Sequence, residues 1–175
     1  MKGERIMTTR EAILTRRSVR QFDPTRPITE EQIHMMLEAA MFAPSARNTR
    51  PWEFVVITDP EDIRKVGEFE GGQKSYETAQ AVIIILGIEE KQAPGNLLND
   101  CGAAAENLIL QAWDMGIGTC WCGIHPVESR VKGATEFLGL PEGVVPFCAI
   151  PMGYPAETPA AKGFYDETLV HYGRW

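Results

Sequence analysis

At 175 residues the chain is long enough for one domain with a hydrophobic core, and its 44% hydrophobic and 23% charged residues match an ordinary globular protein. A formal charge of -7 excludes broad binding to nucleic acid or to an anionic membrane surface, since both need a basic face. There is no apolar run of the roughly 20 residues that spans a bilayer and no secretory signal, and four cysteines do not make a disulfide scaffold, so a reducing cytoplasm is expected.

Thr8-Thr9-Arg10-Glu11 has capping-box spacing and opens a short helix through Ile13 and Leu14. Thr29-Glu30-Glu31-Gln32 repeats the signal, and Ile33, Met36, Leu37, Ala40 and Met41 then recur at helical spacing until Pro44 stops the helix. A strand is expected over Glu53 to Thr58, followed by a helix that starts at Asp59 or Pro60, reaches Glu68 and ends before Gly71-Gly72. Ala81 to Leu86 is continuously apolar, the pattern of a strand buried on both faces. Asn99 is expected to cap a long helix through Met115, with Gly116 as its left-handed stop. The apolar residues Leu108, Ile109, Ala112 and Met115 of that helix are expected to pair with a twofold copy. Thr119 to Ile124 and Phe147 to Met152 read as two further strands, with a helix from Pro126 to Leu138 between them. Pro155 to Gly163 is rich in proline and alanine and reads as an extended tail. No repeat or linker divides the chain, so residues 1–175 form a single domain. The architecture expected is a three-layer α+β sandwich. Gly116-Ile117-Gly118 lacks the third glycine of the dinucleotide fingerprint, which argues against a doubly wound fold.

Two segments concentrate the chemistry. Arg16-Arg17-Ser18-Val19-Arg20 places three guanidinium groups and a hydroxyl within five residues of an acidic chain. Planar guanidinium forks match a phosphate, so this run reads as an anion seat, or else as a solvated basic stretch complementing a helix dipole. The loop Ala43-Pro44-Ser45-Ala46-Arg47-Asn48-Thr49-Arg50-Pro51-Trp52 is anchored between a helix and a strand, a common place for ligand contacts. Ser45 and Asn48 suit polar recognition, and equally suit satisfying the backbone of a turn. Trp52, opening a strand, reads as core.

Together these segments resemble the flavin-dependent nitroreductase family, whose members carry an N-terminal R-R-S-x-R and a following P-S-x-x-N-x-x-P-W. The resemblance extends through Gly118-Thr119-Cys120-Trp121-Cys122-Gly123 to Val170-His171-Tyr172-Gly173-Arg174-Trp175. It implies the nitroreductase fold, a three-layer α/β/α sandwich with a mixed, mainly antiparallel sheet, working as a homodimer with FMN at the interface. It also implies that Arg16, Arg17, Ser18 and Arg20 seat the flavin, with Arg16 and Ser18 foremost. Pro44, Ser45, Ala46 and Asn48 would reach it from the partner subunit. Lys74 takes the place of a lysine near the ring, though it also reads as an ordinary surface lysine. Cys120, Trp121, Cys122 and Gly123 match the segment running along the flavin face, where some relatives carry an acidic residue in place of Cys122. Both cysteines otherwise read as small apolar residues. Lys162 matches one cation of a K-x-R phosphate clamp, but Phe164 occupies the second place, leaving Arg174 as its substitute. The tail from Pro155 is expected to pack on the partner, covering Phe164, Tyr165, Leu169, Tyr172 and Trp175.

The implied activity is FMN-dependent oxidoreduction, passing hydride from NAD(P)H to a small-molecule electron acceptor such as a nitroaromatic or quinone. No catalytic side chain is required, because the cofactor carries the redox chemistry. Storage or sensing of FMN without turnover, or specialised flavin chemistry such as reductive dehalogenation, are the competing readings. His34, His125 and His171 give no metal-ligand spacing, and neither Ser18 nor Ser45 stands in a hydrolase elbow.

Overall fold

The structure is a computed structural model and describes residues 7–160, 163 and 165–175. Both threonine signals form true capping boxes, Thr8 with Glu11 ahead of helix α1 (Thr9–Thr15) and Thr29 with Gln32 ahead of α2 (Glu30–Met41). Strand β1 spans Trp52–Ile57, one residue earlier than expected. Asp59 caps α3 (Pro60–Phe69) by accepting from the backbone N–H groups of Glu61 and Asp62, and proline at the first helical position starts it without a lost hydrogen bond. The remaining elements are β2 (Ala81–Ile88), α4 (Leu97–Asp114), β3 (Gly118–Thr119), β4 (Cys122–Gly123), α5 (Glu128–Leu138) and β5 (Val144–Gly153).

Strand β2 pairs with β1 on one side and β5 on the other, and β5 also carries β3 and β4; all these ladders are antiparallel. The parallel component is a single bridge, Ser18 to Thr119. The continuous apolar pattern of β2 follows from its central place. Ala81, Ile83 and Ile85 pack with α2 and α4 on one face. Val82, Ile84 and Leu86 pack with α3 and α5 on the other, which makes the three layers.

Three expectations need correction. Helix α4 starts three residues earlier than Asn99 implied, with Asn96 at the cap and its side-chain amide turned to Pro94 O at 2.9 Å. Leu108, Ile109 and Ala112 are buried against the sheet and α2 of their own chain, so they are not free to face a twofold copy. The strand expected over Thr119 to Ile124 is broken into β3 and β4. Cys120 N–H donates to Pro151 O at 3.1 Å, but proline has no N–H to return, so the ladder lapses there and resumes at Cys122.

Candidate functional site

From α1 the chain turns along the edge of β3, where Val19 N–H donates to Thr119 O at 2.9 Å. Val19 is fully buried, and it fits only because Gly118 opposite has no side chain. With Val19 turned inward, half-buried Ser18 and exposed Arg20 stay outside. Together with Arg16, Arg17, Pro159, Ala160 and Gly163 they line a cleft of about 540 Å³.

The arginines of this cleft differ in role. Arg17 gives its guanidinium to the carbonyls of Leu14 and Arg16 at the end of α1 and to Ala160 O at 3.3 Å, so it closes the helix end and ties down the tail. Among the described residues the Arg16 side chain makes a long, half-exposed ion pair with Glu106 on α4, at 3.8 Å. The Cys120 thiol is lowered by the hydrogen bond of Cys122 and then by the positive charge of Arg20, against burial. Glu157 of the tail accepts the backbone N–H of Arg20 at 2.6 Å and of Gln21 at 3.1 Å, which fixes the segment from outside. The tail therefore begins on its own subunit: Pro155 bridges Phe22 and Ala156 N–H donates to Gln21 O. That corrects the expectation that packing on a partner begins at Pro155.

Beside this cleft, Cys120 and Cys122 both point into the core between the sheet, α3 and α5, as two residues on one strand face do. Cys122 Sγ lies 3.4 Å from Gln73 Oε1 and 4.0 Å from Ser75 Oγ. Lys74, between those two residues, is exposed. Trp121 points outward and rests edge-on against Phe147. A side chain added to Gly123 would meet nothing nearer than His125 O at 3.9 Å, so this backbone presents an open face.

The loop after α2 is held differently. Arg47, Asn48 and Arg50 all have positive φ (56°, 56° and 50°), a region that non-glycine residues rarely occupy. Ser45 Oγ accepts from Arg50 N–H, Asn48 Oδ1 accepts from Arg50 Nε, and Asp100 in the first turn of α4 accepts from Ala46 N–H at 3.0 Å. Ser45 therefore does satisfy the turn backbone, whereas the Asn48 side chain is bonded to the Arg50 guanidinium, and Asn48 and Pro44 stay exposed. None of the loop residues lines the arginine cleft.

The fold thus brings Arg16, Arg17, Ser18 and Arg20 to one cleft and joins it through Val19 to Gly118 and Thr119, while Lys74 lies in the turn whose neighbours Gln73 and Ser75 touch Cys122. It leaves Pro44, Ser45, Ala46 and Asn48 apart, at the start of α4. Lys162 and Phe164 lie outside the described residues. Arg174 is exposed on the tail, and Trp52 is core as expected. Sequence reasoning missed Glu157, Asp100, Gln73 and Glu70. Asp100 carried a faint signal, a carboxylate among the apolar positions opening α4, but their roles rest on contacts between residues far apart in the chain.

A model of the nitroreductase family matches residues 13–91 and 69–154. The chain belongs to the nitroreductase family. It is 38% identical over 166 residues to a Methanothermobacter thermautotrophicus protein provisionally named NADH dehydrogenase/NAD(P)H nitroreductase, covering 94% of this chain and 86% of that one. Among solved structures it resembles a similarly named protein of Parabacteroides distasonis, with a TM-score of 0.90, 34% identity and coverage of 95% and 98%. An FMN-dependent nitroreductase of Clostridium difficile matches with a TM-score of 0.86, 28% identity and coverage of 94% and 98%. This nitroreductase-family chain shares that architecture over nearly its whole length.

Proposed function

We propose that this nitroreductase is an FMN-dependent oxidoreductase that takes hydride from NAD(P)H and passes it to a small-molecule acceptor of the nitroaromatic or quinone class. The observation that carries the reading is the arginine cleft joined by Val19 and Thr119 to the open backbone at Gly123. Bound FMN supplies the acceptance and donation of the electron pair. The chain supplies the seat. Arg16, Ser18 and Arg20 hold the phosphate or the polar ring edge; Arg17 holds the wall of the cleft by fastening the end of α1 to the tail. Lys74 and the backbone from Cys120 to Gly123 flank the ring, with Lys162 as a further phosphate cation.

A homodimer completes the site, with Pro44, Ser45, Ala46 and Asn48 coming from the second subunit. Two features support this. Asp100 and three left-handed residues hold that loop in one shape with its tip exposed, away from its own chain's cleft. Tyr165, Leu169, Tyr172 and Trp175 are exposed on the tail and need a covering surface, which the partner provides. No helix among the described residues is long and apolar enough to cross a membrane, and the cytoplasm is the proposed compartment.

Anaerobic addition of NADH or NADPH to the flavin-loaded protein tests the activity. Bleaching of the flavin absorbance, with recovery on adding a quinone, is expected. Unchanged absorbance with both nucleotides would replace turnover by storage or sensing.

A further inference from the structure

Glu70 caps the end of α3 and is fully buried. A buried carboxylate is rare unless it is paired, and this one is only partly satisfied. Its Oε1 has no hydrogen-bond partner among the described residues, while Oε2 accepts from Gln73 Nε2 at 3.2 Å and lies 3.6 Å from Arg130 Nη1. Both of those partners continue to the same place. Gln73 presents its other amide atom, Oε1, to the thiol of Cys122 at 3.4 Å. Arg130, from the first turn of α5, donates to Gly123 O at 2.7 Å. Cys122 and Gly123 are the whole of strand β4.

We propose that Glu70 is a positioning residue that pins β4 through two arms, Gln73 to the Cys122 thiol and Arg130 to the Gly123 carbonyl, and so fixes the backbone along which the flavin would lie. The inference deepens the flavin reading but has its own structural content. Strand β4 needs such support because it is only two residues long and follows the ladder break at Pro151. With Glu70 ionised, only the donor end of the Gln73 amide can face Oε2, which leaves the acceptor end for the thiol. Arg130 is likewise held between an ion pair with Glu70 and a hydrogen bond to Gly123 O.

The clamp also answers to protonation. Burial pushes the Glu70 carboxyl up to about 7, against the pull of Arg130. The other titratable groups facing it are Cys120, Cys122 and Tyr76, with Cys148 on β5, and burial keeps Tyr76 and Cys148 in their neutral forms. Arg130 is the cation facing Glu70 among the described residues, and its grip changes as the carboxyl ionises near neutrality.

The test is amide hydrogen exchange by mass spectrometry on the peptide covering residues 120–125 of the full chain, at pH 6 and pH 8, after correction for intrinsic exchange. Glu70→Ala should raise exchange of this peptide by about tenfold or more while β1 stays protected, and Glu70→Gln should restore most of the protection. The Cys120 thiol is also lowered to about 7, so the pH arm is read in a Cys120→Ser background: corrected exchange should differ between the two pH values there, and adding Glu70→Gln should abolish the difference. Unchanged exchange in Glu70→Ala, or an equal rise in every strand, would overturn the clamp. If Glu70→Ala does not fold, a pH difference that persists in the Glu70→Gln, Cys120→Ser double variant overturns it instead. FMN titration of the same samples separates the two ideas. Wild type without flavin but with a loosened β4 in Glu70→Ala sinks the flavin reading alone; flavin-loaded protein with an unmoved β4 sinks the clamp alone.

Discussion

Replacing Gly118 by alanine tests how the arginine segment is held. A Cβ at Gly118 would lie 2.8 Å from both Cβ and Cγ2 of Val19 and 3.0 Å from its Cγ1. Ordinary contact begins at 3.4 Å, so β3 and the Arg16 to Arg20 segment must part by roughly 0.6 Å. Val19 is fully buried and β-branched, and one of the clashing atoms is its Cβ, so no rotamer change removes the clash. Overpacking of this kind costs about 1–3 kcal/mol. The smaller entropy of the unfolded alanine chain offsets about 0.4–1 kcal/mol of that. A net loss of about 1–2 kcal/mol should lower Tm by about 2–8 °C at this chain length. Gly102→Ala is the matched control. Its Cβ would meet only Phe147 Cζ at 4.0 Å inside α4, so removing a helix glycine there should stabilise by about 0.5–1 kcal/mol. Equilibrium urea unfolding of the three proteins measures both changes, and FMN titration should show weaker binding for Gly118→Ala only, because Val19 sits between Ser18 and Arg20. A Gly118→Ala protein as stable as wild type, with unchanged flavin affinity, would refute the close-packing argument.

Arg16→Ala should weaken FMN binding by about 10- to 150-fold, since a hydrogen bond to a charged group contributes about 1.5–3 kcal/mol; fluorescence titration checks it, and an unchanged Kd removes Arg16 from the seat. Asp100→Ala strands the Ala46 N–H and should cost about 1–3 kcal/mol in thermal or urea unfolding, with Asp100→Asn milder because its amide oxygen still accepts. For Glu70, the folded pKa of about 7 lies above the ordinary 4.5, so the native state keeps a proton that the unfolded chain releases across that window. Wild-type stability relative to Glu70→Gln should accordingly fall as pH rises from 4.5 to 7 and level off above; urea midpoints that stay parallel over this range would contradict the assignment. Truncation after Ala160 keeps Glu157 on the backbone of Arg20 and should reduce dimerisation, whereas truncation after Ala156 should also loosen the arginine segment and lower flavin content; light scattering and bound-flavin absorbance read the two effects.

Local chemistry made much of this protein legible in its sequence. The capping boxes at Thr8 and Thr29, the Asp59-Pro60 helix start and the unbroken apolar run of β2 each act through neighbours a few residues away, and each formed where expected. The Arg16 to Arg20 run was likewise visible as a candidate anion seat, because its charge density stands out against an acidic chain. Tertiary structure alone decided the rest. Pro151 broke β3 from β4 across a pairing between distant segments, and Gly118 proved essential only opposite Val19. Arg17 turned to α1 and the tail while Arg16 stayed open, a difference between adjacent identical residues that no composition records. Glu70 and Asp100 read as ordinary acidic residues until folding buried them beside Arg130, Gln73 and Ala46. A periodic pattern reports which way a side chain faces, since the backbone geometry repeats; which partner waits there depends on how separate elements pack, and that is set by the whole chain at once.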